Sequence, residues 1–272
     1  MQIPTRCATG LLILAIGVLS GCVWMRLLDL KGQFADFDRY IEVPPGAGLE
    51  LRFRQPVLRT EDLEFLLKAK PTAEAENAGI TVRIYAFYHV PSALGADPPT
   101  VTPTLLLSVG IHEGKVIFIT LPEPVFQVIP RELALRGMRA IGRADVDRGN
   151  RSAAAALDLT DLATPLPTRE ALIALFGEPN SRSIIAGKEA VNHAFAGQER
   201  LLWRFQLQGE TLRSDGKPVI AAIALNFRPG EARPTRFQAN ISGMWLYLDL
   251  PKDQAPAADQ APAADQAPVR HP

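Results

Sequence analysis

Leu58-Arg59-Thr60-Glu61-Asp62 and Leu166-Pro167-Thr168-Arg169-Glu170 open two short apolar segments that align without a gap. Leu67 then falls on Leu175, and Pro71 on Pro179. Each threonine suits a helix N-cap, and the acidic residues behind it suit a first turn. In both copies an alternating segment precedes the helix, and a long polar loop followed by three alternating segments comes after it. The chain therefore reads as α+β, an antiparallel sheet (or sheets) with helices on one face, in two tandem helix–strand–helix–three-strand repeats. Alternation leaves two arrangements open: one continuous sheet across both copies, or two small sheets in tandem.

Working outward, residues 24–43 carry Leu27, Leu30, Phe34, Phe37 and Ile41 at spacings of three and four, one apolar helix face. Pro44-Pro45-Gly46 ends it. Leu49, Leu51 and Phe53 alternate with charged residues, a half-buried strand. Thr60 is expected to cap the helix that carries Leu63, Leu66 and Leu67. Val82 to Tyr88 is a strand, and 91–103 a Pro-rich loop. Leu105 to Ile111 and Val116 to Leu121 form a hairpin across Glu113-Gly114.

The second copy runs Arg131–Gly142 (helix), Ala155-x-Leu157-x-Leu159 (strand) and Thr168–Phe176 (helix closed by Gly177 and Pro179). Strands follow at 201–207, 219–227 and 235–241. The expected divisions are 1–21, 22–122, 123–251 and 252–272. The last contains the repeat Asp-Gln-Ala-Pro-Ala-Ala, poor in anything to bury, and reads as a disordered Pro/Ala-rich tail.

Arg6, the uncharged run from Ala8 to Leu19, and then Leu19-Ser20-Gly21-Cys22 have the layout of an export signal. Leu-Ser-Gly-Cys is similar to the lipobox of bacterial lipoproteins. That resemblance implies cleavage before Cys22 and a diacylglycerol on its thiol, the only lipid or cofactor expected. Residue 23 is Val rather than the Asp associated with inner-membrane retention, so the implied location is the outer membrane, periplasmic side. An uncleaved transmembrane anchor is the competing reading, since the apolar run approaches the roughly 20 residues a spanning helix needs. Almost no linker separates Cys22 from the first helix, so the folded body is expected close to the bilayer.

The 272 residues balance 29 Lys and Arg against 29 Asp and Glu, and no global charge points to nucleic acid. Cys7 lies in the leader and Cys22 is the lipid site, so the mature chain has no disulfide and no free thiol.

Pro167-Thr168-Arg169-Glu170-Ala171-Leu172-Ile173-Ala174-Leu175-Phe176-Gly177-Glu178-Pro179 resembles the helix-then-Gly-x-Pro signature of the BamE/SmpA lipoprotein group. The aromatic strand Leu202-Trp203-Arg204-Phe205 follows, as in that group. The duplicated form resembles the β-lactamase-inhibitor-protein-like fold. The first half has Ala69-Lys70-Pro71 where the signature wants Gly. The resemblance implies a non-enzymatic adaptor that binds outer-membrane assembly proteins or lipid.

Candidate chemistry is sparse. His89, His112, His193 and His271 show no metal-ligand spacing, and no nucleophile elbow or phosphate loop appears. Asp145 with Asp147, and Asp158 with Asp161, read as solvated pairs. Arg136, Arg139 and Arg143 share one face if their segment is helical, a stripe suited to lipid phosphates or an acidic partner; a solvated, locally paired face is the plainer reading. Trp245 and Tyr247 are either an interface patch or pack on the first helix, and closure is preferred. The functional expectation is a non-enzymatic binding or scaffold module with an envelope protein partner. The alternative is a lipid or lipopolysaccharide carrier, and the third reading an unrecognised hydrolase. A preformed apolar pocket would favour the carrier, and exposed aromatics the adaptor.

Overall fold

The computed structural model describes residues 23–90, 104–186 and 195–250. Cys22, the leader, the 91–103 loop, His193, His271 and the repeat tail lie outside the described residues. The order is α1 (23–35), α2 (Phe37–Tyr40), β1 (Ile41–Glu42), β2 (Leu49–Phe53), α3 (Thr60–Leu67), β3 (Ala73–Asn77), β4 (Ile80–His89), β5 (Leu105–His112) and β6 (Lys115–Leu121). Next come α4 (Glu123–Phe126), α5 (Arg131–Gly142), β7 (Asp145–Asp147), β8 (Ser152–Ala156), α6 (Arg169–Phe176) and β9 (Ser181–Ile184). The chain closes on β10 (Glu199–Gln208), β11 (Ile220–Phe227), β12 (Pro234–Ile241) and β13 (Met244–Asp249).

Two small antiparallel repeats are not what forms. The described strands make one mixed sheet of thirteen, ordered β1-β2-β6-β5-β4-β10-β11-β12-β13-β8-β7, with β3 beside β4 and β9 beside β10. The ten-residue strands β4 and β10 join the halves antiparallel, Phe205 opposite His89 and Gln208 opposite Ala86. The rest of each strand pairs with a short neighbour, β3 or β9. Separate half-sheets would leave two long edges with unpaired backbone groups, and this pairing removes both. β8 runs parallel to β13, which makes the sheet mixed.

Several local expectations also shift. The helix read over 24–43 stops at residue 35, and Ile41 pairs with Phe53 as a strand; Phe34, Phe37 and Ile41 are nonetheless buried. The N-cap of α3 is Arg59 rather than Thr60. The Asp62 carboxylate accepts the Arg59 backbone N–H at 2.8 Å, and the Thr60 hydroxyl donates instead to the Gly114 carbonyl. The strand expected through Leu157 and Leu159 is Ser152–Ala156; both leucines are buried in the irregular segment behind it. Thr168 does cap α6, accepting from the Ala171 N–H. Glu113-Gly114 does make the tight turn, both residues at positive φ.

The core lies on the helix-bearing face. Leu201, Trp203, Phe205 and Leu207 of β10 are buried there under α6, whose Phe176 ring sits 5.7 Å from that of Trp203. α3 holds the same face through Glu64 and Arg83, and α1 is tied to α3 by Arg26 and Asp62. No described helix is long and apolar enough to cross a membrane.

Candidate ligand site on the two sides of α5

α5 is strongly amphipathic, and each side faces a concavity. Its apolar side roofs a cavity of about 330 Å³ above β11, β12 and β13, with α6 and the 157–167 segment as side walls. Leu133, Gly137, Met138, Phe237, Leu246 and Leu248 are among the lining residues, and no charged residue lines it. The strand register explains the floor: Leu225, Phe237 and Leu248 sit opposite one another across β11, β12 and β13, so all three side chains emerge on one face.

Gly137 is the unusual residue in this wall. A glycine in a helix interior is about 1 kcal/mol less favourable than alanine. Packing does not require it: a Cβ there would meet only Leu248 Cδ1, at 3.7 Å, an ordinary contact. Gly142, five residues on, is different. A Cβ there would fall 2.1 Å from the backbone N of Ala35, so that glycine lets α1 and α5 touch. Gly137 thus leaves room where a side chain would project toward the cavity.

The other side of α5 carries the arginine stripe, and Arg136, Arg139 and Arg143 do share one open cleft of about 690 Å³. Asp145, Asp158, Asp161 and Asp249 line it too, so the cleft carries both signs of charge. Arg136 pairs with Glu132 and donates to the carbonyls of Asp158 and Thr160. Arg139 pairs with Asp38 at 2.8 Å and lies over the Phe37 ring. Arg143 is exposed; its backbone N–H closes α5 on the Ala140 carbonyl at 3.0 Å, while its guanidinium makes no hydrogen bond among the described residues and acts on Asp158 through its charge. The Asp158 carboxyl is held below the ordinary carboxylate range, first by the Thr160 backbone N–H and then by its side chain, with smaller help from Arg136 and Arg143. Arg131, from the same arginine-rich run, clasps the carbonyls of Pro44, Gly46 and Gly48.

Trp245 and Tyr247 occupy the sheet face opposite Leu246 and Leu248. Their rings stack, centroids 5.9 Å apart and 7° from parallel. Arg236 lies between the rings of Tyr247 and Phe195, and Trp245 is 38% exposed. β13 packs edge to edge between β12 and β8, which leaves the pair on the sheet surface rather than closing the domain over the first helix.

No group of His, Cys, Asp and Glu suited to a metal occurs among the described residues. His112 Nδ1 lies 2.9 Å from the Gly79 carbonyl and ties two hairpin turns together. His89 is part-buried beside Phe205, and burial lowers its pKa against an opposing hydrogen bond with Asn180. Sequence reasoning missed the cavity. Its one visible signal was Gly137 inside an otherwise good helix; the floor needed the register of three strands. Compared with known proteins, the chain matches no family model, no curated protein and no solved structure.

Proposed function

We propose that this chain is a lipid-anchored envelope protein that binds an apolar or acyl-bearing ligand, without catalysis, in the cavity beneath α5. The observation that carries the reading is the cavity itself: about 330 Å³, walled by apolar side chains, with Gly137 in its roof. That volume lies at the lower end of the range for small-ligand pockets, and such walls suit hydrocarbon rather than a polar metabolite. Cys22 supplies the anchor, on the strength of the Leu-Ser-Gly-Cys sequence, and the outer membrane is its location by the residue at 23. Arg143, at the C-terminal end of the same helix, is the member of the stripe available to an acidic headgroup.

The test is titration of the mature chain, with Cys22→Ala to remove its own acyl groups, using a fluorescent palmitate analogue. Saturable binding is expected, and Gly137→Leu is expected to abolish it without lowering the melting temperature. No saturable binding by the parent chain would overturn the reading.

One observation favours a second reading, an adaptor for an envelope protein: the stacked Trp245–Tyr247 pair on the outer sheet face. Crosslinking in intact cells separates the two. Stoichiometric capture of one envelope protein, lost on Trp245→Ala, supports the adaptor; co-purifying lipid supports the carrier.

A further inference from the structure

We infer that the first turn of α1 is a bilayer-contact surface and that the fold is mounted rigidly on the membrane rather than tethered by a leash. The inference rests on the lipid-anchored reading of Cys22. The first described helical residue is Val23, whose Cα follows that of Cys22 by about 3.8 Å of covalent geometry. Arg26 comes about 4.5 Å further along the helix axis. Its guanidinium grips the Asp62 carboxylate with two bonds, 2.7 and 2.5 Å. Asp62 is fully buried and also accepts the Arg59 N–H, so the clamp is part of the α3 N-terminus. At the far end of α1, Phe34 is buried and the backbone touches Gly142 of α5. The helix behind the lipid site is thus fixed at both ends and cannot act as a swivel.

What this geometry presents beside the anchor is Val23-Trp24-Met25. Met25 is 66% exposed, the most exposed large apolar residue described, and Trp24 and Val23 are partly exposed. In water such a turn leaves apolar surface uncovered. At a headgroup boundary it is favourable, because indole suits that interface and methionine adapts to irregular apolar surroundings. The partner is a phospholipid bilayer, chosen over a protein because a diacylglycerol thioether on Cys22 would enter it within one residue of this turn.

α3 supplies a ruler. Its N-terminal end lies against the β5–β6 turn, where the Thr60 N–H donates to the Gly114 carbonyl. Its C-terminal end lies against Leu212, whose N–H donates to the Lys68 carbonyl. Over the eight residues of α3 the two ends are about 12 Å apart. Leu212, 40% exposed, is therefore a second reporter on the same rigid body, one length of α3 away from the Arg26–Asp62 clamp.

The mature chain has no free thiol, so single label sites can be introduced by Met25→Cys and, separately, Leu212→Cys in the full chain, lipidated in cells. After reconstitution into phosphatidylethanolamine/phosphatidylglycerol vesicles, an environment-sensitive label is quenched with headgroup-labelled lipid. Quenching at Met25→Cys is expected to exceed that at Leu212→Cys several-fold. A twelve-residue Gly-Ser spacer between Cys22 and Val23 is expected to bring the ratio close to one while membrane association persists. Equal quenching at both sites in the lipidated chain, or a ratio unchanged by the spacer, overturns the rigid mounting. Mass spectrometry of the N-terminal peptide reports separately on the anchor. An unmodified Cys22 would overturn the lipidation reading itself, and the mounting with it.

Discussion

The indole Nε1 of Trp203 donates to the carbonyl of Gly177 at 2.8 Å. This bond joins the end of α6 to the middle of β10 and accounts for the order helix, Gly-x-Pro, aromatic strand. Gly177 lies at φ 80° and ψ −174°, a region essentially restricted to glycine. There its N–H closes the helix on Ile173, while its carbonyl turns to the fully buried indole. Asn180, three residues on, accepts from the Arg204 N–H and donates to the Val90 carbonyl, pinning the same turn to both β4 and β10.

Gly177→Ala is therefore expected to destabilise the fold by about 1–3 kcal/mol through backbone strain alone. Trp203→Ala, which also empties a core position, is expected to cost about 3–5 kcal/mol. Urea unfolding of both variants checks this. An unchanged Gly177→Ala midpoint would mean the turn relaxes to another conformation.

Gly137 and Gly142 should respond in opposite directions. Gly137→Ala improves helix propensity with no contact closer than 3.7 Å and is expected to raise stability by about 1 kcal/mol. Gly142→Ala forces Cβ into the Ala35 backbone and is expected to lower it, with α1 displaced from α5. Thermal unfolding of the two variants side by side reads the sign directly. Destabilisation by both would mean the space beside Gly137 is not available to a side chain.

How much of this was visible beforehand varies with the physics. Periodicity places Leu49, Leu51 and Phe53 in a strand and Leu63 and Leu67 on a helix, because burial follows the period of the backbone. It says which face a strand buries, not which strand lies beside it, so the Phe205–His89 register and the parallel β8–β13 pair were out of reach. Ala-Glu-Ala-Glu-Asn is poor in strand formers and reads as loop; as β3 it is fully exposed and is held by pairing with β4 and the Ala78-Gly79 turn. Spacing groups Arg136, Arg139 and Arg143, but the partners of the first two, Asp38 and the 158–160 carbonyls, come from other parts of the chain.

Arg26 and Asp62 are separated by 36 positions and act as one unit. Arg26→Met leaves a buried carboxylate without its cation and is expected to cost about 3–5 kcal/mol. The double variant Arg26→Met/Asp62→Leu removes both charges and is expected to recover much of that loss, less the cap that Asp62 gives Arg59. A double-mutant cycle by chemical denaturation measures the coupling. Additive losses would show that the pair does not hold α1 to α3.

His89 makes the fold sensitive to mild acid. Burial lowers its pKa in the folded chain, whereas an unfolded histidine takes up its proton near pH 6.5. Well above that value neither state is protonated there, and the group contributes no pH dependence. As pH falls below that value, the unfolded chain binds the proton first and stability declines, until the folded imidazole is protonated as well and the curve levels. Melting temperature is thus expected to fall from pH 7.5 to 5.5. His89→Phe, which keeps an aromatic ring beside Phe205 and cannot titrate, is expected to flatten that part of the profile. Parallel profiles for parent and variant would remove His89 as the origin and leave the acid response to the carboxylates.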